Sequence, residues 1–194
     1  MTEQTGAARQ TGAAPQPGQW RLDPQASRAE FAVPHFWHLI TVRGQFDRID
    51  GEGTIAPDGT ATGRLVLDAA SLNTRNQQRD KHLRSADFFS AEQHPEVVLT
   101  VSRAVPAGDG RLTAEATLEA AGVSQPVSLT ADVADASPDA VTLRGELTVD
   151  RSRFGMTWSP LRMADLKATA TVTARFTRVP AGSPAAAGQA VSPG

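Results

Sequence analysis

The polar segment from Asn73 to Phe89 carries the residues best suited to chemistry in this chain. Nine consecutive residues of it include six charged or titratable side chains: Arg79, Asp80, Lys81, His82, Arg84 and Asp87. An arginine offers paired N–H donors that match a phosphate, and histidine is a common group for proton transfer. The segment ends in Phe88 and Phe89. The alternative interpretation is therefore a surface connection whose two phenylalanines pack against the core.

A short helix would position these side chains. Leu83 follows Arg79 by four residues, so both would lie on one helix face, and Asp80 and Arg84 are spaced to pair in the same way. A helix with one apolar edge and an aromatic end is well suited to act as a lid over an open β-structure.

The other motifs do not indicate a metal site or covalent catalysis. His35 and His38 have an H-x-x-H spacing, but a zinc or iron site needs three or more converging ligands. Pro34 also disfavours a helical pair that begins at this point. The sequence has no cysteine, no Gly-x-Ser-x-Gly elbow and no phosphate-binding glycine loop. We therefore expect no catalytic residue, no metal and no cofactor.

Composition indicates one folded domain between two tails. Of the 194 residues, 1–18 contain no Val, Ile, Leu or aromatic residue, and 180–194 are mostly Ala, Gly, Pro and Ser. Neither end can bury enough apolar surface to offset its ordering entropy, so both are expected to be disordered around a domain at 19–179.

Charge and hydrophobicity also limit the partners and the location of the protein. A net charge of −2 gives no reason to expect nucleic acid as a partner. With no signal peptide and no run of about 18 apolar residues, we expect a cytoplasmic protein without a transmembrane segment.

A period of two residues dominates the second half of the chain. Apolar and polar residues alternate through four long segments: 112–120, 127–133, 141–149 and 166–177. Each segment is typical of a strand with one face in water. A turn is expected at Ala121–Gln125 between the first two.

The first half is less regular but also rich in strand patterns. Candidate strands lie at 20–22, 29–33, 40–50, 51–56, 64–68 and 97–105, with turns at Gly51, Asp58-Gly59 and Asp109-Gly110. About eight antiparallel strands joined by short turns favour an all-β fold, an eight-stranded up-and-down barrel with a short helical lid, because closure removes exposed edges. A sandwich is the second choice.

Many of the predicted inward positions are small: Ala114, Ala116, Ala131, Gly145, Ala168, Ala170 and Ala174. An eight-stranded barrel either fills its interior with side chains or keeps room for one ligand. Small lining residues favour the second outcome, although alanine is common throughout this chain.

Several short motifs, in order and at compatible spacing, resemble one known family. They are Leu22-Asp23-Pro24 with Ser27, Phe31, Val33 and His35; Thr41-Val42-Arg43-Gly44 with Phe46; Ser71 with Thr74; Arg79-Asp80 with His82-Leu83, Ser85 and Asp87-Phe88-Phe89, then Pro95; Gly122-Val123 with Pro126-Val127; and Arg151 with Phe154-Gly155 and Thr157-Trp158. From about Trp20 to Phe176 the chain resembles the YceI-like family of lipocalin-like proteins.

The resemblance implies an extended antiparallel barrel that holds a long apolar chain: a polyisoprenoid, an isoprenoid quinone or a fatty-acid-like lipid. Members are generally binders, and some are dimers, so a homodimer is possible here. Two positions depart from the family pattern, because Ala26 and Ala121 stand where a histidine is usual. A different head group, or a different way of holding it, would follow if those imidazoles contact the ligand.

Under this resemblance the ligand would contact apolar and aromatic side chains along the lumen and at its mouth. These are Phe31, Phe36, Trp37, Val42, Phe46, Leu83, Phe88, Phe89, Ala116, Leu118, Leu147, Phe154, Met156, Trp158 and Ala170. The head-group candidates are Arg79, Asp80, His82 and His35. For Arg79, Asp80 and His82 the alternative is a structural role, in which they bond to backbone and hold the short helix against the barrel.

The expected function is to bind and shield such a lipid for transport, storage or sensing. Two alternatives stay open at this point. One is an enzyme that acts on an isoprenoid lipid with His82 or His35 as the acid–base group. The other is a partner-binding barrel with a filled interior.

Overall fold

The computed structural model describes residues 14–35, 39–159 and 164–180. Eleven described strands form one antiparallel sheet: β1 (Gly18–Leu22), β2 (Arg28–His35), β3 (Ile40–Phe46), β4 (Ile49–Ile55), β5 (Ala61–Asp68), β6 (Leu72–Asn73), β7 (Glu96–Gly108), β8 (Arg111–Ala120), β9 (Val123–Ala136), β10 (Ala140–Asp150) and β11 (Lys167–Arg178). One α-helix, α1, spans Gln77–Arg84, and 3₁₀ turns lie at Ala69–Ser71 and Arg151–Phe154. Within these ranges no helix has the length and apolar character that crossing a membrane requires.

Eight of these strands close into a barrel. Their order is β1-β4-β5-β7-β8-β9-β10-β11, and β1 pairs again with β11, which leaves this part of the sheet without an open edge. The predicted eight-stranded antiparallel barrel with a short helix is therefore confirmed. Closure satisfies the backbone groups that an open edge strand would expose.

The remaining strands branch from β11. That strand pairs with β1 from Phe176 to Arg178 and with β2 from Thr169 to Thr173, so β1 and β2 lie end to end beside it. The buried Ser27 hydroxyl, between the two, accepts a hydrogen bond of 3.0 Å from the Arg175 backbone N–H. β3 continues the sheet outward from β2 and then pairs with the two-residue β6. One end of the barrel is therefore bounded by this additional sheet.

The period-two pattern corresponds to an inside and an outside. Along β8, Ala114, Ala116 and Ala120 are buried, whereas Thr113 and Glu115 are exposed. Ala131 and Ala174 are also buried. Small side chains thus pack part of the interior tightly.

Three sequence predictions were wrong in detail. The turn expected at Gly51 is absent, because Gly51 lies within β4 and pairs with Leu65. Residues 40–50 do not form one strand, because the chain turns after Phe46 and the Asp47 backbone N–H donates to the Ser71 carbonyl instead. The turn between β8 and β9 comprises only Ala121 and Gly122, not 121–125, since the ladder continues through Ser124 and Gln125.

Both predicted tails fall mostly outside the described residues. Gln16 is an exception, because its N–H donates to the Pro138 carbonyl and its carbonyl accepts from the Trp20 indole N–H. The domain bounds of 19–179 stay a prediction.

Two hairpin turns offer a matched stability test. Asp109-Gly110 and Ala121-Gly122 both place two residues at positive φ, the two-residue turn that suits a twisted hairpin. A Cβ at Gly122 would lie 2.5 Å from Cε1 of His94, whereas one at Gly110 meets nothing within 4 Å. We expect Gly110→Ala to cost about 1 kcal/mol through backbone strain alone. Gly122→Ala should cost about 1–2 kcal/mol more through the clash.

Chemical denaturation of the two variants beside the parent protein measures the difference in free energy of unfolding. Equal losses in the two variants would show that the His94 ring moves aside without cost.

Candidate functional site

Helix α1 is held in place by a cap and by a buried carboxylate. The Asn76 side chain accepts a hydrogen bond of 3.0 Å from the Arg79 backbone N–H and so begins the helix. Asp80 is buried, and its Oδ1 accepts from the Thr74 backbone N–H at 2.9 Å and from the Thr74 hydroxyl at 2.5 Å. Arg79 donates from Nε to Thr74 Oγ1 at 2.7 Å and from Nη2 to the Thr74 carbonyl at 2.9 Å. These bonds tie the helix to the segment after β6.

The spacing of Asp80 and Arg84 does not produce the expected pair. Asp80 bonds to Thr74, and the Arg84 guanidinium donates to the Leu72 carbonyl. By contrast, Arg79 and Leu83 do share a face, and both line the cavity beneath the helix.

That cavity has a volume of about 290 Å³ and lies in the part of the barrel next to β2 and β3. Its walls are mostly aliphatic and aromatic. The lining residues are Phe31, Val33, His35, Val42, Phe46, Leu65, Leu67, Arg79, His82, Leu83, Phe88, Phe89, Val97, Leu99, Leu118, Ala120, Leu129, Gly145, Glu146, Leu147, Val149, Arg151, Phe154, Met156, Trp158, Ala164, Ala168, Ala170 and Val172.

Most of the residues that the sequence singled out lie in this wall. The structure brings together Phe31, Val42, Phe46, Leu83, Phe88, Phe89, Leu118, Leu147, Phe154, Met156, Trp158 and Ala170, with Arg79, His82 and His35 beside them. Ala116 is buried but does not line the cavity, and neither does Asp80. Phe36, Trp37 and His38 lie outside the described residues. Ala26 and Ala121 are not among the lining residues.

Three rings meet where the cavity approaches solvent. The His82 ring contacts the Trp158 ring edge-to-face at 4.3 Å between centroids, and the Phe88 ring at 5.2 Å. The centroids of the Phe88 and Trp158 rings are 5.8 Å apart. His82 Nε2 also lies 3.1 Å from Asp87 Oδ2. Because Trp158 is 43% exposed, this ring cluster marks the mouth of the cavity.

Sequence reasoning missed two kinds of lining residue. Leu65, Leu67, Val97 and Leu99 occupy alternate positions of β5 and β7, so the period-two pattern could have found them. Arg151 is different, since an arginine after a strand gives no signal of burial. In the sequence it belongs only to the motifs of the family resemblance, yet the side chain is only 6% exposed and lines the cavity.

The 3₁₀ turn at Arg151–Phe154 positions that arginine. Asp150 caps the turn by accepting from the Ser152 backbone N–H at 3.0 Å and from its hydroxyl at 2.6 Å. Those hydrogen bonds keep the pKa of the Asp150 carboxyl below its usual range. For Arg151, burial lowers the pKa of the guanidinium, and the carboxylates of Asp165 and Asp150 partly offset that shift.

Comparison with known proteins places this barrel in a family. The family model described as the YceI-like domain matches residues 20–178. The chain belongs to the YceI-like family. A UPF0312 protein of Vibrio cholerae serotype O1 is 30% identical over 122 residues, which cover 61% of this chain and 64% of that protein. A UPF0312 protein of Vibrio campbellii is 29% identical over 122 residues, which also cover 61% of this chain and 64% of that protein. The chain thus spans less than two thirds of the length of these relatives.

Solved structures share the fold of this YceI-like chain. Burkholderia cenocepacia BcnA superposes with a TM-score of 0.72 at 17% identity, covering 79% of this chain and 98% of that one. A polyisoprenoid binding domain from Saccharophagus degradans, implicated in plant cell wall breakdown, superposes with a TM-score of 0.68 at 20% identity. The match covers 82% of this chain and 98% of that one. The Campylobacter jejuni YceI protein superposes with a TM-score of 0.66 at 21% identity, and the match covers 73% of this chain and 88% of that one.

The buried carboxylate of α1 yields a stability prediction. Asp80→Ala removes both hydrogen bonds to Thr74 and leaves the Thr74 N–H without its acceptor, so we expect unfolding to become easier by about 2–3 kcal/mol. Gln78→Ala, on the exposed side of the same helix, should change stability by less than about 0.5 kcal/mol.

Denaturant titration and amide hydrogen exchange of residues 77–84 check this expectation. If Asp80→Ala and Gln78→Ala were equally stable, the carboxylate would not hold the helix.

Proposed function

We propose that this YceI-like protein binds the apolar chain of a lipid in the cavity and shields it from water. The observation that carries the proposal is a cavity inside a closed barrel whose walls are almost entirely aliphatic and aromatic. Burial of apolar ligand surface in such a site is favourable by about 25 cal/mol per Å². Loss of translational freedom and ordering of the chain offset much of that gain.

The size of the cavity supports a single chain as the ligand. Its volume of about 290 Å³ is near the lower end of the range of roughly 300–1,000 Å³ that is common for small-molecule sites. A polyisoprenoid, an isoprenoid quinone or a fatty-acid-like lipid each offers one slender apolar chain. The description of the Saccharophagus degradans neighbour as a polyisoprenoid binding domain favours the first of these.

The polar end of the lipid would lie near the polar side chains of the wall. His35, Arg79, His82 and Arg151 are candidates. Arg79 already gives Nε and Nη2 to Thr74, so its first role is to hold the helix. His82 is half-buried at the mouth, where a head group would pass. Transport, storage and sensing all require only reversible binding, and the proposal includes no catalytic step. Formation of a homodimer stays a prediction.

Blocking the cavity should abolish binding. Ala170 lines the cavity, and Ala170→Phe would place a ring in the space that a chain needs. Its neighbour Thr171 is exposed and does not line the cavity, so Thr171→Phe adds the same ring on the outer face. We expect Ala170→Phe to lower affinity for a C16–C20 lipid at least tenfold, and Thr171→Phe to leave it within about twofold.

Mass spectrometry of organic extracts from gently purified protein, with native mass measurement of the same samples, reads out the bound lipid. Thermal melting of each variant confirms that it folds. Stoichiometric lipid in folded Ala170→Phe would exclude the cavity as the binding site.

A further inference from the structure

Arg151 is a charged side chain in an apolar cavity. It is 6% exposed and lies in a wall formed mainly by Leu, Val, Ala and aromatic side chains. A buried guanidinium stays protonated, so the positive charge must be compensated by neighbouring groups. How it is compensated indicates what the cavity binds.

Three backbone carbonyls hold one side of the guanidinium. Nε donates to the Asp165 carbonyl at 2.9 Å, and Nη1 donates to the carbonyls of Met156 at 3.0 Å and Trp158 at 3.1 Å. Nη2 is buried and has no hydrogen-bond partner among the residues that the structure describes. The other three bonds fix the orientation of the planar group, so this free donor has a defined direction.

The described ion pairs do not include Arg151. Their arginines have side chains that are 30% to 68% exposed, and water shares in compensating them. No described carboxylate lies within ion-pair distance of Arg151, although the carboxylates of Asp165 and Asp150 act on its charge, and its side chain is only 6% exposed. Three carbonyl dipoles and two carboxylates outside ion-pair distance compensate the charge only in part, and leaving a buried charged donor without an acceptor is unfavourable.

The Phe88 ring lies next to the guanidinium. Cζ of Arg151 is 5.5 Å from the ring centroid, within the range of a cation–π contact. A ring face attracts a cation, but it accepts an N–H hydrogen bond more weakly than an oxygen does. Phe88 also belongs to the ring cluster at the mouth, so the guanidinium lies next to that cluster.

We propose that Arg151 is the head-group anchor of the cavity and that Nη2 donates to an anionic oxygen at the polar end of the bound chain. The inference rests on the proposed lipid-binding function and names the ligand class: single-chain lipids that end in a carboxylate or a phosphate. An anionic oxygen supplies the missing acceptor and adds negative charge to that of the Asp165 and Asp150 carboxylates, whereas a neutral carbonyl or hydroxyl supplies only an acceptor.

Two pairs of lipids, matched in chain and different in charge, test this inference. One pair is cis-parinaric acid and its methyl ester, and the other is geranylgeranyl phosphate and geranylgeraniol. Binding of the first pair to delipidated protein is measured by parinaric fluorescence, and binding of the second by displacement of the bound ester. We expect at least one anionic member to bind tenfold or more tightly than its neutral partner. The pair that shows the difference identifies carboxylate or phosphate as the head group.

Arg151→Met should abolish that preference, to within about threefold, by weakening binding of the anionic partner more than that of the neutral one. Arg84→Met is the matched control, because Arg84 also has a buried Nε without a hydrogen-bond partner but does not line the cavity. It should keep the preference. Equal binding of anionic and neutral partners by the parent protein would overturn the inference and leave lipid binding intact. Failure to bind any of the four would overturn the proposed function itself.

If Arg151→Met does not fold, as judged by thermal melting, the parent protein still gives an answer. The guanidinium resonances of Arg151 in ¹⁵N-arginine-labelled protein should shift on addition of the anionic probe and not on addition of its neutral partner. Unchanged resonances with the anionic probe bound would overturn the inference.

Discussion

The pairing of one strand with two partners is the constraint on which the rest of this structure depends. β11 closes the barrel through β1 over its last residues and pairs with β2 over the preceding ones. If β1 extended along the whole of β11, the eight strands would form a plain cylinder that side chains could fill. Instead, β2 and β3 continue the sheet outward at one end. The cavity lies beside these strands and beside the small residues Ala168 and Ala170 of β11.

An eight-residue helix covers this end of the barrel, and it cannot be stable by itself. Isolated helices shorter than about 12–15 residues are marginal in water, and α1 is mostly polar. Its position comes from the contacts of Asp80 and Arg79 with Thr74, and from the packing of Phe89 against Phe46 at 5.7 Å between ring centroids. The residues that looked most suited to chemistry in the sequence therefore first serve to hold the helix over the cavity.

The limits of prediction from this sequence follow from the range of each interaction. The barrel could be predicted because alternation along a strand is local and records which face is buried, as β8 and β11 show. The double pairing of β11 could not be predicted, since it depends on registers between residues about 140 positions apart, such as Phe31 and Ala170.

Side-chain partners were also hard to predict. Helical spacing suggested that Asp80 pairs with Arg84, but Thr74 offers two donors to the Asp80 carboxylate. Arg151 and Arg153 look alike in sequence, yet one is buried and the other is exposed and bonds to Gln125.

An apolar cavity alone gives affinity without much selectivity. Adding or removing one methylene changes binding by only about 1–3 kcal/mol, whereas a buried polar group discriminates strongly, because the wrong ligand leaves it unpaired. Under the proposed lipid binding, the ring cluster at the mouth and the aliphatic walls would accept chains of many kinds. Arg151 is the group among the described lining residues that three carbonyls hold rigid while one donor stays free. A donor fixed before the ligand arrives needs no reorganisation on binding, so under the proposed lipid binding Arg151 would provide the selectivity for the polar end of the ligand.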